Sequence, residues 1–265
     1  MTIPADIAAE AIQSRLTSRM IGRRLQVVAE IGSTNDAVLA AGHAGEPEGL
    51  AVLADRQTGG RGRRGRSWAS LPGVGVYTSI LLRPPVAPLQ APLLTLMAGL
   101  ATAEAIASVA RVQPAIKWPN DLLLDGRKVV GILTEMTTIG QRIGHVAVGI
   151  GVNVHQRDED FPDGVRETAT SVDRVAGRHV DRGEVVAALY NALDRWYASV
   201  CGDGPSMVLQ AARARIGTLG KTVTVDSGDR RWQGTALDLA DDGALLVVDA
   251  QGAVQRILAA DVSIR

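Results

Sequence analysis

Asp125-Gly126 lies between two apolar runs, "AIKWPNDLLL" and "RKVVGILTEM". Both residue types accept the positive φ that a two-residue hairpin turn demands, so the pair sets the flanking segments as antiparallel neighbours. A further apolar run, "HVAVGIGVNV" (145–154), follows closely. Strands spaced this tightly leave no room for the helical crossovers of a regular parallel sheet. Residues 1–216 therefore read as one α+β domain with a mixed or mostly antiparallel sheet. Other strands are expected at 25–31, at 50–56 and, by its alternation, at 76–83 ("VYTSILLR"). Helices are expected at 5–20, from Ser33 and Thr34 to Gly42, at 91–110, around "ATSVDRVAG", at 182–200 and through much of 205–216.

From Lys221 the texture changes. "KTVTVD", "RWQGTALDL", "GALLVVD" and "AVQRILAADVSI" are short β patterns, separated by turns at Ser227-Gly228, Asp242-Gly243 and Gln251-Gly252. Residues 217–265 are expected to form a small SH3-like β-barrel module.

Charge and cysteine usage narrow the function classes. Lys+Arg and Asp+Glu stand at 28 each, which argues against a general polyanion binder. Four Trp, three Tyr and one Phe offer little stacking platform for nucleic acid. Cys201 is the only cysteine, so no disulfide forms within the chain, and a cytoplasmic location is expected. No charge-free apolar stretch reaches about 18 residues, so no membrane span is expected. The longest candidate, around 93–110, contains Glu104 and reads as a buried helix. The histidines His43, His145, His155 and His179 show no metal-ligand spacing, and no G-x-S-x-G elbow is present.

Against that neutral background, "GRGRRGR" (60–66) is a local concentration of charge. Glycines let backbone N–H groups converge on an anion, and arginines bind phosphate or carboxylate through two donors. The stretch suits a loop that closes over a polyphosphate; a solvated basic turn is the other reading. It lacks Walker A spacing. Lysine is scarce: only Lys117, Lys128 and Lys221 occur. Where an arginine-rich chain keeps lysine, an ammonium rather than a guanidinium is called for. In "KWPNDLLLDGRK", Asn120 and Asp121 follow the bend fixed by Pro119 and either close a turn or reach a ligand. Ser33 and Thr34 in "STN" read as a helix cap or as hydrogen-bonding groups for a polar ligand. Gly149 and Gly151 weaken a strand unless something approaches it closely, and Asn153 shares their face.

Taken in order, "STN", "ADRQTGGRGRRGRSW", "KWPNDLLLDGRKVVGIL", "VGIGVNV" and "FP…ATSV" resemble the biotin–protein ligases, over most of residues 25–175. The resemblance implies ATP-dependent conversion of biotin to biotinyl-5′-AMP, then transfer to a lysine of a biotin carboxyl carrier domain. It implies biotin contacts from Ser33, Thr34, Asn35, Gln57, Arg61, Gly62, Arg63, Lys128 and Gly131. Arg61, Arg63, Arg64, Trp68, Asn120, Asp121 and Asn153 would serve ATP and the adenylate. Lys128 and Arg63 would be the catalytic cations, and Asp121 would sit beside Mg²⁺. Only about 24 residues precede the first strand, fewer than a DNA-binding helix-turn-helix unit needs, so a monofunctional ligase without DNA binding is expected. Two further expectations concern packing. An exposed sheet edge leaves room for a homodimer. Val130, standing where the family usually has a smaller residue, would narrow the strand's packing and with it the site.

The related rival is a transferase for lipoate or octanoate, which would want a greasier pocket. The rival of another class is a nucleic-acid binder using the arginine loop and the β module.

Overall fold

The computed structural model describes residues 2–264 apart from 203, 229 and 259. Short helical turns open the chain: a 3-10 turn (Ala5–Ile7) and α1 (Ala9–Gln13). The helix expected over 5–20 is thus broken at Ala8, which takes an extended ψ of 142°. Then come β1 (Arg24–Ile31), α2 (Thr34–His43), β2 (Leu50–Gln57), β3 (Gly75–Leu82) and α3 (Ala91–Ala110). After α3 follow β4 (Ala115–Lys117), β5 (Asp121–Leu124), β6 (Arg127–Ile139) and β7 (Arg142–Asn153). Helices α4 (Val172–Ala176), α5 (Arg182–Gly202) and α6 (Ser206–Arg215) precede β8 (Thr222–Asp226), β9 (Arg231–Leu239), β10 (Leu245–Asp249), β11 (Val254–Ile257) and β12 (Asp261–Ile264).

Seven strands form a mixed sheet in the order β1-β2-β3-β7-β6-β5-β4. All neighbours are antiparallel except β1 and β2, which run parallel with α2 as their crossover. One βαβ unit thus stands in an otherwise antiparallel sheet, in keeping with the mixed or mostly antiparallel sheet expected. The Asp125-Gly126 turn is as the dipeptide dictates: both residues have positive φ, 50° and 76°.

The central strands are covered on both faces. Val52, Leu81 and Ala147 pack under α2 with Val38. The alternate residues Ala51, Leu53, Ile80, Leu82, Val146 and Val148 join the main core with α3 and α5. This double cover is why every residue of β3 is buried, where its sequence suggested one wet face. Helix α3 is apolar on all sides, as a helix in the middle of a core must be. The segment Pro88–Ala110 is long and apolar enough to cross a membrane, yet 72% of its apolar window is buried inside the protein. Arg182 is buried and bridges distant segments. It forks onto Asp6 at 2.8 and 3.0 Å and reaches Asp55 at 2.8 Å. Removing one side of such a pair costs about 3–5 kcal/mol, because the other charge is left desolvated.

Strands β8 to β12 form a second, antiparallel sheet in the order β11-β10-β9-β8-β12. Its buried Val223, Val225, Leu245 and Val247 belong to the same apolar cluster as α3. Trp118 Nε1 donates to the Gly243 carbonyl at 3.0 Å, and Gly217 N–H donates to Ile116 O at 3.0 Å. The second sheet is thereby seated against the β4 edge of the first, and that seating bounds the cleft described next.

Candidate active site

Glycines in the middle of the large sheet make its floor. Gly131 on β6 pairs with Gly151 on β7, and the Trp68 indole lies flat against both. A Cβ at Gly151 would come 2.5 Å from the ring, and one at Gly131 would come 2.6 Å from it. Gly149 seats the Asn35 side chain in the same manner. This accounts for the glycines that weaken β7: two side chains need the space a Cβ would fill. Trp68 Nε1 is buried and has no hydrogen-bond partner among the described residues.

The closed end of the cleft is a web of amides and hydroxyls. Gln57 Oε1 accepts from Thr34 N–H at 2.9 Å and from Thr34 Oγ1 at 3.0 Å, while its Nε2 donates to Ser70 Oγ at 3.0 Å. Ser79 Oγ lies 2.6 Å from Asn35 Oδ1 and 2.7 Å from Thr34 Oγ1. Asn35 Nδ2 donates to Glu135 Oε2 at 2.6 Å. Ser33 occupies the position before α2 but makes no capping hydrogen bond. Its buried hydroxyl faces the cleft.

The Gly/Arg loop roofs the site. Arg61 and Ser67 form a β-bridge, Gly62 N–H donates to Arg66 O at 2.6 Å, and Trp68 N–H donates to Gly60 O at 2.9 Å. Each arginine has a different task. Arg61 forks onto Asp36 at 2.6 and 2.7 Å and reaches Glu135 at 3.1 Å. The fork holds the Asp36 carboxyl below the usual carboxylate range and raises the Arg61 pKa. Arg63 turns inward and donates to Asn120 Oδ1 at 3.1 Å; burial lowers its pKa. Arg64, at φ 55°, lies near Asp261 (3.5 Å) and does not line the cleft. Arg66 also reaches Asp261.

Beyond Trp68 the cleft becomes cationic. Lys128 Nζ sits 5.4 Å from the Trp68 ring centroid and 2.6 Å from Asp121 Oδ1. That short ion pair is the contact of the buried Oδ1 among the described residues. Lys128 is positioned by residues 168–170, which pair with it: Lys128 N–H donates to Thr168 O and Thr170 N–H to Lys128 O. Asn120 Nδ2 donates to Ile132 O at 3.0 Å, and Asn153 Nδ2 donates to Thr170 O at 3.1 Å. A single carboxylate oxygen facing an anion site fits Mg²⁺, which takes one or two carboxylates and completes its shell with substrate phosphates and water.

Apart from Arg64, all the candidate residues named from the sequence line this one cleft, of about 1310 Å³. A site for one small ligand is typically about 300–1,000 Å³, so there is room for two. Val130 is fully buried in the core beneath the sheet and does not narrow the cleft. Asp36, Glu135 and Asp261 escaped the sequence reading, because each meets its arginine across 25 to 195 residues. The histidines show no metal-ligand spacing along the sequence, but the fold brings two of them together. His155 and His179 stack at 4.3 Å, and both approach Asp173 Oδ2, at 2.7 and 3.3 Å.

Comparison with known proteins agrees with this geometry. The biotin/lipoate A/B protein ligase family matches residues 27–153, and the biotin protein ligase C terminal domain matches residues 218–265. The bifunctional ligase/repressor BirA of Bacillus subtilis is 36% identical over 98% of this chain and 80% of its own length. The biotin–acetyl-CoA-carboxylase ligase of Mycobacterium tuberculosis is 35% identical, covering 91% of this chain and 88% of that protein. Among solved structures, the Aquifex aeolicus biotin protein ligase in complex with biotin and ATP superposes with a TM-score of 0.78 at 30% identity, covering 92% of this chain and 99% of that one. Sequence is shared with these relatives over nearly the whole chain, and fold with the solved ligase, and the chain belongs to the biotin protein ligase family.

Proposed function

We propose that the cleft takes biotin at its amide end and ATP at its cationic end, and that the chain joins biotin to a protein lysine in two steps. The observation that carries this reading is the pairing of the two ends across the Trp68 slot. A ureido ring offers two N–H donors and one carbonyl acceptor, matching Ser33, Thr34, Asn35 and Gln57. A dithiolane ring offers no such groups, which disfavours lipoate.

In the first step a biotin carboxylate oxygen attacks the α-phosphorus, and the bond to the bridging oxygen of pyrophosphate breaks. Two anions must meet, so cations have to stand at their meeting point. Lys128 and Arg63 are assigned that role, with Arg61 ordering the roof from its Asp36–Glu135 seat. Asp121 would hold Mg²⁺, which neutralises phosphate charge when bound. The closed roof excludes water that would hydrolyse the mixed anhydride. In the second step a neutral lysine amine attacks the acyl carbon and AMP leaves. The acceptor proposed is a biotin carboxyl carrier domain.

The test is pyrophosphate–ATP exchange with biotin, with lipoate, and with neither. Exchange with biotin alone is expected; exchange with lipoate alone overturns the substrate. Lys128→Ala should lower exchange by at least about 100-fold, the scale for losing a preorganised charge partner, with an unchanged melting temperature. Near-normal exchange in that variant removes the role given to Lys128.

A further inference from the structure

Three metal-ligating side chains meet outside the cleft, where β7 ends and the chain turns towards α5. His155 follows β7, Asp173 lies in the first turn of α4, and His179 stands between α4 and α5. None of the three lines the cleft. His155 Nδ1 lies 2.7 Å and His179 Nδ1 lies 3.3 Å from the same oxygen, Asp173 Oδ2. The ligand atoms of the three residues all lie within 4.8 Å of one another.

The backbone fixes two of them. His155 N–H donates to Val74 O at 2.8 Å, and Asp173 N–H donates to Val154 O at 2.9 Å. Asp173 Oδ1 accepts from Val180 N–H at 2.9 Å, which orients the carboxylate and turns Oδ2 to the imidazoles. The nearby arginines are engaged elsewhere: Arg174 pairs with Asp158, and Arg178 donates to Val109 O. Among the described residues, no guanidinium competes for Asp173. The His179 side chain is 77% exposed, so one flank of the cluster is open to water.

We propose that His155, Asp173 and His179 form a binding site for a divalent transition ion of the zinc type. Two imidazoles and one carboxylate, with water completing the shell, are a ligand set for zinc. Mg²⁺ and Ca²⁺ prefer all-oxygen sites, so imidazole nitrogens select against them. With bonds of about 2.0–2.2 Å, neighbouring ligand atoms of a tetrahedral shell stand about 3.3 Å apart. His179 and Asp173 already have that separation; His155 has to draw back from 2.7 Å to reach it. The exposed His179 ring can turn out of its stack on His155 to face the ion.

The ion would join the two ends of one segment. Asp173 comes 18 residues after His155. Between them runs the loop that lines the cleft with Gln156, Phe161, Pro162, Thr168 and Ala169, and whose Thr168 and Thr170 pair with Lys128. Clamping its ends lowers the chance that this loop opens locally. The ion is structural, then: it steadies the flank of Lys128 and takes no part in group transfer. This holds whichever ligands the cleft takes.

The test uses untagged, chelator-treated protein with Zn²⁺ and Co²⁺ as probes. Calorimetric titration should give one Zn²⁺ per chain, and Co²⁺ should develop visible absorption that Zn²⁺ abolishes. His179→Ala should melt as wild type does without metal and weaken Zn²⁺ binding beyond the about 10- to 100-fold that losing a mere orienting partner costs. Asp173→Asn, which keeps an acceptor for Val180 N–H, should do the same. His43→Gln, at the other histidine pair, should bind as wild type does. Zn²⁺ at ten times its Kd should raise the wild-type melting temperature by about 3–6 °C and slow hydrogen exchange over residues 156–172. Absence of stoichiometric binding, or binding that survives both His179→Ala and Asp173→Asn, overturns the site. Binding without slower exchange in the loop overturns its role as a clamp.

Discussion

Arg66 Nη2 donates to both carboxylate oxygens of Asp261, at 2.8 and 3.0 Å. One residue belongs to the arginine loop and the other to the last strand of the chain. Arg64 reaches the same carboxylate at 3.5 Å, and Arg63 donates to the neighbouring Ala260 carbonyl at 3.4 Å. Asp261 thus offers the loop a carboxylate partner close to where substrate phosphates would arrive, and the roof is tied to the second sheet through it.

That tie is a surface ion pair, with the Arg66 side chain 61% and the Asp261 side chain 40% exposed. Pairs of this kind contribute about 0.2–1 kcal/mol and weaken with salt. Asp261→Asn should therefore open the loop modestly, raising the rate of trypsin cleavage between Arg61 and Arg66 by about two- to fivefold at low ionic strength. At high salt the difference from wild type should vanish. Equal cleavage at low salt would show that Asp261 does not restrain the loop.

The Trp68 slot permits a sharper substitution. Gly151→Ala places a methyl group 2.5 Å from the indole, closer than any real contact. The neighbouring atoms are a large ring and a central strand, and neither yields cheaply. The ring should tilt off the floor, at a cost of about 1–3 kcal/mol in stability. Biotin-dependent exchange should fall by at least about 10-fold, because the slot that positions the reacting groups is lost. Melting temperature, Trp fluorescence and exchange measured together check this. A stable variant with unchanged fluorescence and exchange would show that the slot tolerates a Cβ.

How far the sequence went depends on the range of the interaction. The Asp125-Gly126 hairpin and the helix over 91–110 were legible, because a turn and a long apolar helix are local properties. The glycines of β7 declared a close approach, but not that Trp68 and Asn35 would make it. The parallel β1–β2 pair was hidden, since a single crossover helix of ordinary length carries no mark of the sheet it spans. The partners of the loop arginines were hidden for the same reason: Asp36, Glu135 and Asp261 are ordinary surface acids until the fold brings them to the roof. Val130 shows the reverse error. Gly131 faces the site, so its strand neighbour Val130 faces the core, and Lys128 reaches the site face because Val129 is the extra residue of β6 where the register with β5 shifts.

His145 gives the molecule a pH-sensitive point away from the cleft. Its ring is buried on β7, edge-on to His43 of α2 at 4.8 Å, with Thr137 Oγ1 of β6 at 2.9 Å from Nδ1. Burial, and then the charges of His43 and Arg83, push its pKa below the usual value. The folded state therefore prefers the neutral ring. Above about pH 6.5, the unfolded value, both states are neutral and the folded state keeps its full stability. As pH falls below that value the unfolded chain takes up a proton that the folded chain refuses, so stability drops until the folded pKa is passed. Asp36, held low by the Arg61 fork, loses its contribution only at lower pH, beneath the ordinary carboxylate value near 3.9. The melting temperature of the wild type should thus fall between pH 7.5 and pH 5.5. In His145→Gln, which keeps a polar atom for Thr137, that fall should shrink while the acid limb below pH 4 stays. An identical fall in the variant would assign the effect to the remaining histidines instead.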